Sequence, residues 1–153
     1  MTTLTSLLNE SNDSIVIMKS EVDSTFTLYI IYKENPLYDK FSLVFERFGH
    51  AFLQSGTKNI FVDGEELEES YFTKNHLIAI QGHEIAHSVL KHGRGLNKQL
   101  EMEADIAGME ILKKKGKTSA YFILKKRFNS LYKKEPSMSL LGTKSQQLLQ
   151  AYL

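Results

Sequence analysis

The sequence contains no cysteine and no tryptophan, and only two prolines. Without cysteine there is no disulfide framework and no thiolate metal site. Any metal must therefore be held by imidazole and carboxylate, and the redox compartment is left open. No apolar run approaches the roughly 20 residues that a membrane-spanning helix needs. Neither sign of charge dominates: Lys and Arg number 19 against 18 for Asp and Glu, a formal net charge of +1. That balance removes any global drive toward nucleic acid or an anionic membrane. The stretch Met1 to Asp13 lacks the basic-then-apolar pattern of a secretory leader, so a cytoplasmic location is expected. The expected partner is a protein or peptide substrate, with no nucleic acid and no membrane. Oligomeric state is not legible.

What is present suits one folded unit. A chain of 153 residues with 42% hydrophobic content can bury a sizeable core as a single domain over 1–153. The basic runs Lys113-Lys114-Lys115, Lys125-Lys126-Arg127 and Lys133-Lys134 read as solvated helix faces and C-terminal turns that complement the helix dipole.

Along the chain, Thr25 to Tyr32 is rich in β-branched and aromatic residues and predicts a strand. Phe41, Val44, Phe45, Phe48 and Phe52 recur at helical spacing, which predicts a helix within 37–55 whose aromatic stripe is core. Asn59 to Val62 predicts a second strand, closed by an Asp63-Gly64 turn. The acidic run Glu65 to Glu69 reads as a solvated loop or short helix. Three helices are expected at about 73–92, 97–115 and 118–134, with breaks at Gly93-Arg94-Gly95 and at Gly116, and a tail helix near 143–152. Residues 1–13 read as weakly ordered, or as a short helix at Leu4 to Leu8. The expected class is α+β: a small N-terminal sheet packed on a mostly helical core.

Chemistry concentrates in two of those helices. His83-Glu84-Ile85-Ala86-His87 spells H-E-x-x-H, which a shuffle of this composition yields in roughly one chain in a hundred. His83 and His87 lie four apart on one helical face, so both imidazoles can reach one metal. Glu84 is rotated roughly 100° from His83, beside that face, where it can hydrogen-bond water without ligating. Ile78, Gly82, Ile85, Ala86 and Val89 form an apolar back. His87 and Glu101 each lie roughly 6–8 Å from the intervening turn at about 1.5 Å rise per residue. An antiparallel helix pair therefore sets Glu101 level with His87. Gly108 keeps a small residue at the contact, and Asp105, four past Glu101, can accept a hydrogen bond from the far nitrogen of a liganding histidine. Two His and one Glu leave Zn²⁺ an open fourth position, which indicates catalysis.

His83, Glu84, His87, Glu101 and Asp105 together resemble the gluzincin metallopeptidases, whose pattern is H-E-x-x-H followed by E-x-x-x-D. The Glu-Met-Glu-Ala-Asp wording is similar to the membrane prenyl-protein and heat-shock peptidases and to ImmA/IrrE-type proteins, and small soluble minigluzincins fit the size. The resemblance covers about residues 80–112. It implies a zincin-like core, Zn²⁺ held by His83, His87 and Glu101, Glu84 as general base and acid, and Asp105 supporting a ligand. Metzincins are excluded, because Leu90 and Gly93 stand where that longer motif needs Gly and His.

The expected reaction is zinc-dependent hydrolysis of peptide bonds. Two alternatives stand beside it: an ImmA/IrrE-like regulatory zinc protein acting on a repressor, and an inactive zinc-binding interaction domain. Tyr121, Arg127 and Tyr132 are candidates for a second oxyanion donor. Glu103 is an alternative ligand but is expected to face solvent, since it lies roughly 200° round the helix from Glu101. His76 is expected at the cleft rim or a helix start, and His50 and His92 as structural or surface residues. An extended substrate could add to a sheet edge near Ile60 to Val62.

Overall fold

Period-two alternation in two central strands sets the architecture. The computed structural model describes residues 14–69, 73–93 and 97–153. In it β2 (Thr27–Ile31) and β4 (Asn59–Asp63) run parallel, with Leu28 opposite Ile60 and Ile30 opposite Val62. These four residues face one way, into the main core. Tyr29, Ile31 and Phe61 face the other way and meet α1 (Tyr38–Phe48) through Phe41 and Phe45. Both faces of the centre are thus covered, which fits a parallel pair. Phe61 stacks on Tyr29, Phe41 and Phe52 at centroid distances of 5.0, 5.3 and 5.2 Å. Burying each such ring stabilises the fold by about 1.5–3 kcal/mol.

β1 (Ile15–Lys19) pairs antiparallel with β2, and β3 (Ala51–Leu53) pairs antiparallel with β4, giving the order β1-β2-β4-β3. The remaining helices are α2 (Gly64–Glu69), α3 (Lys74–Val89), α4 (Lys98–Lys114), α5 (Thr118–Tyr132) and α6 (Thr143–Tyr152). The fold class is α+β, as expected, and the three helices and the tail helix fall where the pattern puts them. Among the described residues no helix is long and apolar enough to cross a membrane.

Three expectations need correction. The helix in 37–55 stops at Phe48: Gly49 turns the chain at φ +84°, and residues 51–53 pair with β4 instead. Phe52 remains an aromatic core contact, but from a strand. Asp63-Gly64 is not a strand-to-strand turn. The Asp63 carboxylate accepts from Glu65 N at 3.0 Å and starts α2. Ile60 to Val62 is an interior strand, so the edges of the sheet are β1 and β3. The short helix expected at Leu4 to Leu8, and Arg94-Gly95 of the break, lie outside the described residues.

Two glycines bring α3 and α4 together. A Cβ on Gly82 would lie 2.7 Å from Leu112 Cγ, and one on Gly108 would lie 3.0 Å from the Gly82 carbonyl oxygen. Gly108 therefore keeps the contact close as expected, whereas Gly82 belongs to this contact rather than to the apolar back.

Candidate metal centre

Side-chain caps start each of the two site helices. Thr73 Oγ1 accepts from His76 N at 3.3 Å and opens α3, and Asn97 Oδ1 accepts from Gln99 N at 2.9 Å and Leu100 N at 3.2 Å and opens α4. Such caps are worth about 1 kcal/mol each. His76 sits at this helix start, with Nδ1 2.8 Å from Thr73 Oγ1.

Across the helix pair, His83, His87 and Glu101 converge. His83 Nε2 lies 3.0 Å from Glu101 Oε2, His87 Nε2 lies 3.2 Å from Glu101 Oε1, and the two Nε2 atoms are 3.1 Å apart. A four-coordinate ion bound at about 2.0–2.1 Å sets its donors about 3.3–3.4 Å apart, close to the spacing of these nitrogens and carboxylate oxygens, so the group could hold a small divalent cation.

The outer ring nitrogens bear on whether the group could hold a cation. His83 Nδ1 donates to Asp105 Oδ1 at 2.7 Å, and Asp105 is fully buried. His87 Nδ1 lies 2.9 Å from His92 Nδ1. With both Nδ1 atoms as donors, each ring when neutral turns its Nε2 lone pair toward the carboxylate. Three acceptors at these distances repel one another, and one proton bridges only two of them. A metal ion satisfies all three, so this group could hold one.

The electrostatics agree. Burial works against a protonated His83, but the hydrogen bonds to Asp105 and Glu101 and the charge of Glu84 outweigh it and carry the ring up to about 10. Burial pushes Glu101 upward, yet the hydrogen bonds from His83 and His87 hold it well below the ordinary carboxylate range. Glu84, 7% exposed, is raised chiefly by burial, against the charges of His83 and His87. His92 is lowered by burial and then by His87, which favours the neutral ring that can accept from His87.

His83, Glu84, His87 and Glu101 line one cleft of about 800 Å³, whose opposite wall is the edge strand β3. Arg127 reaches the same cleft from α5, so it is not simply part of a solvated basic face. Tyr121 lines a separate small pocket beside Met109 and Pro136. Tyr132 is raised by burial first and next by Asp105.

Glu103 stands elsewhere than the sequence predicts, and His92 takes the structural one of its two expected places. Glu103 does not face solvent: it is 6% exposed and accepts from Gly142 N at 2.9 Å and Ser145 Oγ at 3.1 Å. The 200° rotation is real, but α6 packs on that side. His92 is the partner of a ligating-type histidine, with its side chain 5% exposed. The signal for it lies in the end of α3. Lys91 takes φ +55°, His92 N bonds His87 O at 3.0 Å and Lys91 N bonds Ser88 O at 3.1 Å. That pairing is a Schellman motif, which folds the residue two past the cap over the last turn. His50 lines the cleft, with Nδ1 3.2 Å from Asp63 Oδ2.

No protein-family model, curated protein or solved structure matches this chain.

Proposed function

We propose that the chain is a small zinc-dependent peptidase with a zincin-like core. The observation that carries this reading is the approach of His83, His87 and the Glu101 carboxylate to 3.0–3.2 Å in one cleft with the buried Glu84. Nitrogen and carboxylate donors without thiolate suit zinc, and three protein ligands leave a position for water. Zinc held by these residues would supply an acidified water and a Lewis acid for the scissile carbonyl.

Glu84 accepts the proton of the attacking water and returns it to the leaving amine. Its burial raises it above an ordinary carboxyl group, which brings it nearer the working pH and suits both halves of that role. Asp105 holds the His83 imidazole in the tautomer that would present Nε2 to a metal. Arg127, the candidate cation that lines the cleft, is placed to steady negative charge on the carbonyl oxygen. An extended peptide would pair its backbone with β3, the terminal strand on the cleft wall, rather than with the interior strand around Ile60.

The test is Glu84→Gln. The variant should bind zinc as the parent does while losing cleavage of a peptide library by about 100-fold or more, on the order of a general base's contribution. A Glu84→Gln protein that cleaves at the parental rate removes the mechanism.

A further inference from the structure

We infer that His92 and Glu103 are positioning residues for the ligand His87, and that through them the C-terminal helix α6 is part of the metal centre. This rests on the zinc reading above. The link runs through four contacts. His87 Nδ1 meets His92 Nδ1 at 2.9 Å. The far nitrogen of His92 is buried and makes no hydrogen bond among the described residues, and it lies 3.4 Å from Glu103 Oε1 at ion-pair distance. Glu103 in turn takes Gly142 N at 2.9 Å and Ser145 Oγ at 3.1 Å. Gly142 is the N-cap of α6, so Glu103 also sits at the positive end of that helix.

The chemistry has a direction. The carboxylate of Glu103 draws the His92 proton to Nε2, which leaves His92 Nδ1 as the acceptor. His87 must then donate from its own Nδ1 and offer Nε2 inward. A ligating imidazole needs such an outer partner to fix its tautomer and ring plane. His83 has one in Asp105, and His92 supplies the matching one for His87. The anchor is firm, because Leu149 of α6 is fully buried and the Tyr152 hydroxyl donates to Asp23 Oδ2 at 2.6 Å. Residues far along the chain therefore hold a ligand on α3.

The experiment is zinc affinity by competition with a chromophoric chelator, on the full chain, for the parent, His92→Phe and His92→Gln. The thermal midpoint of each metal-free protein is measured beside it. Phe fills the space without an acceptor, whereas the Gln carbonyl can still accept from His87. His92→Phe should weaken zinc by about 10–100-fold at an unchanged metal-free midpoint, and His92→Gln should recover most of the loss. Parental affinity in His92→Phe overturns the inference and leaves the zinc site standing. Equal loss in both variants with a lowered midpoint assigns His92 to packing and also overturns it. A parent that binds no zinc removes the site and the inference together.

Discussion

Replacing Gly82 by Ala changes no charged or ligating group, yet it should disturb the metal centre. The new Cβ would lie 2.7 Å from Leu112 Cγ and 2.8 Å from Leu112 Cδ1. Carbon atoms rest at about 3.5–4.0 Å, so roughly 1 Å must open between α3 and α4. Leu112 is fully buried, so any shift of its side chain must displace packed neighbours. Overpacking of this kind costs about 1–3 kcal/mol, against a gain of about 1 kcal/mol for Ala over Gly in a helix. A net loss of up to about 2 kcal/mol should lower the thermal midpoint by up to roughly 8 °C. The same opening carries Glu101 away from His83 and His87, so zinc affinity should fall by about tenfold or more, since a site about 1 Å too loose fails. Calorimetry and chelator competition read the two effects. In a double-mutant cycle, Leu112→Ala should cost less in the Gly82→Ala background than alone. A Gly82→Ala protein with a parental midpoint and parental zinc affinity would refute the claim that close helix approach sets the site.

Further outcomes follow from the same geometry. Asp105→Ala strips the acceptor from His83 Nδ1 and should weaken zinc by about 10–100-fold in the same competition assay; unchanged affinity would mean that His83 needs no outer partner. Metal-free His83, raised to about 10, is protonated at pH 7 and must lose that proton on binding. Calorimetry in two buffers of different ionisation enthalpy should then find about one proton released per zinc at pH 7, and zero release would contradict it. Because its folded-state value is raised, the stability that His83 lends the metal-free protein is full below about 6.5 and is lost as pH rises through about 10. A melting midpoint in chelator that climbs from about pH 7 to about 9.5 would oppose this. Lys91→Gly relieves a non-glycine residue at φ +55° and should raise stability by about 0.5–1 kcal/mol in urea titration, whereas a drop would show that the Lys91 side chain matters more than its backbone.

The site was legible where helix geometry alone decides it. His83 and His87 share a face because the helix repeats every 3.6 residues. Glu101 falls level with His87, and Asp105 with His83, because a short connection between two helices leaves an antiparallel pair. Local signals of the same kind marked the Gly116 break and a helix start near residue 97. The central strands were legible from β-branched and aromatic runs at Thr25 to Tyr32 and Asn59 to Val62, and the structure places them at Thr27–Ile31 and Asn59–Asp63.

What needed the tertiary structure depends on residues far apart in the chain. Residues 51–53 form a strand only because β4 is there to pair with them, and that overrides a helical spacing of phenylalanines. Which strand is the sheet edge follows from the order of pairing, which no single strand encodes. Glu103 turns inward because Gly142 and Ser145, about forty residues on, meet it there. His92 becomes a partner of His87 through a local fold-back at Lys91, but its other nitrogen faces Glu103 on the next helix. The sequence by itself therefore determined which side chains one helix or helix pair presents together, since backbone periodicity is local. Only the packed structure decided what stands behind those side chains, since that depends on which distant elements close around them.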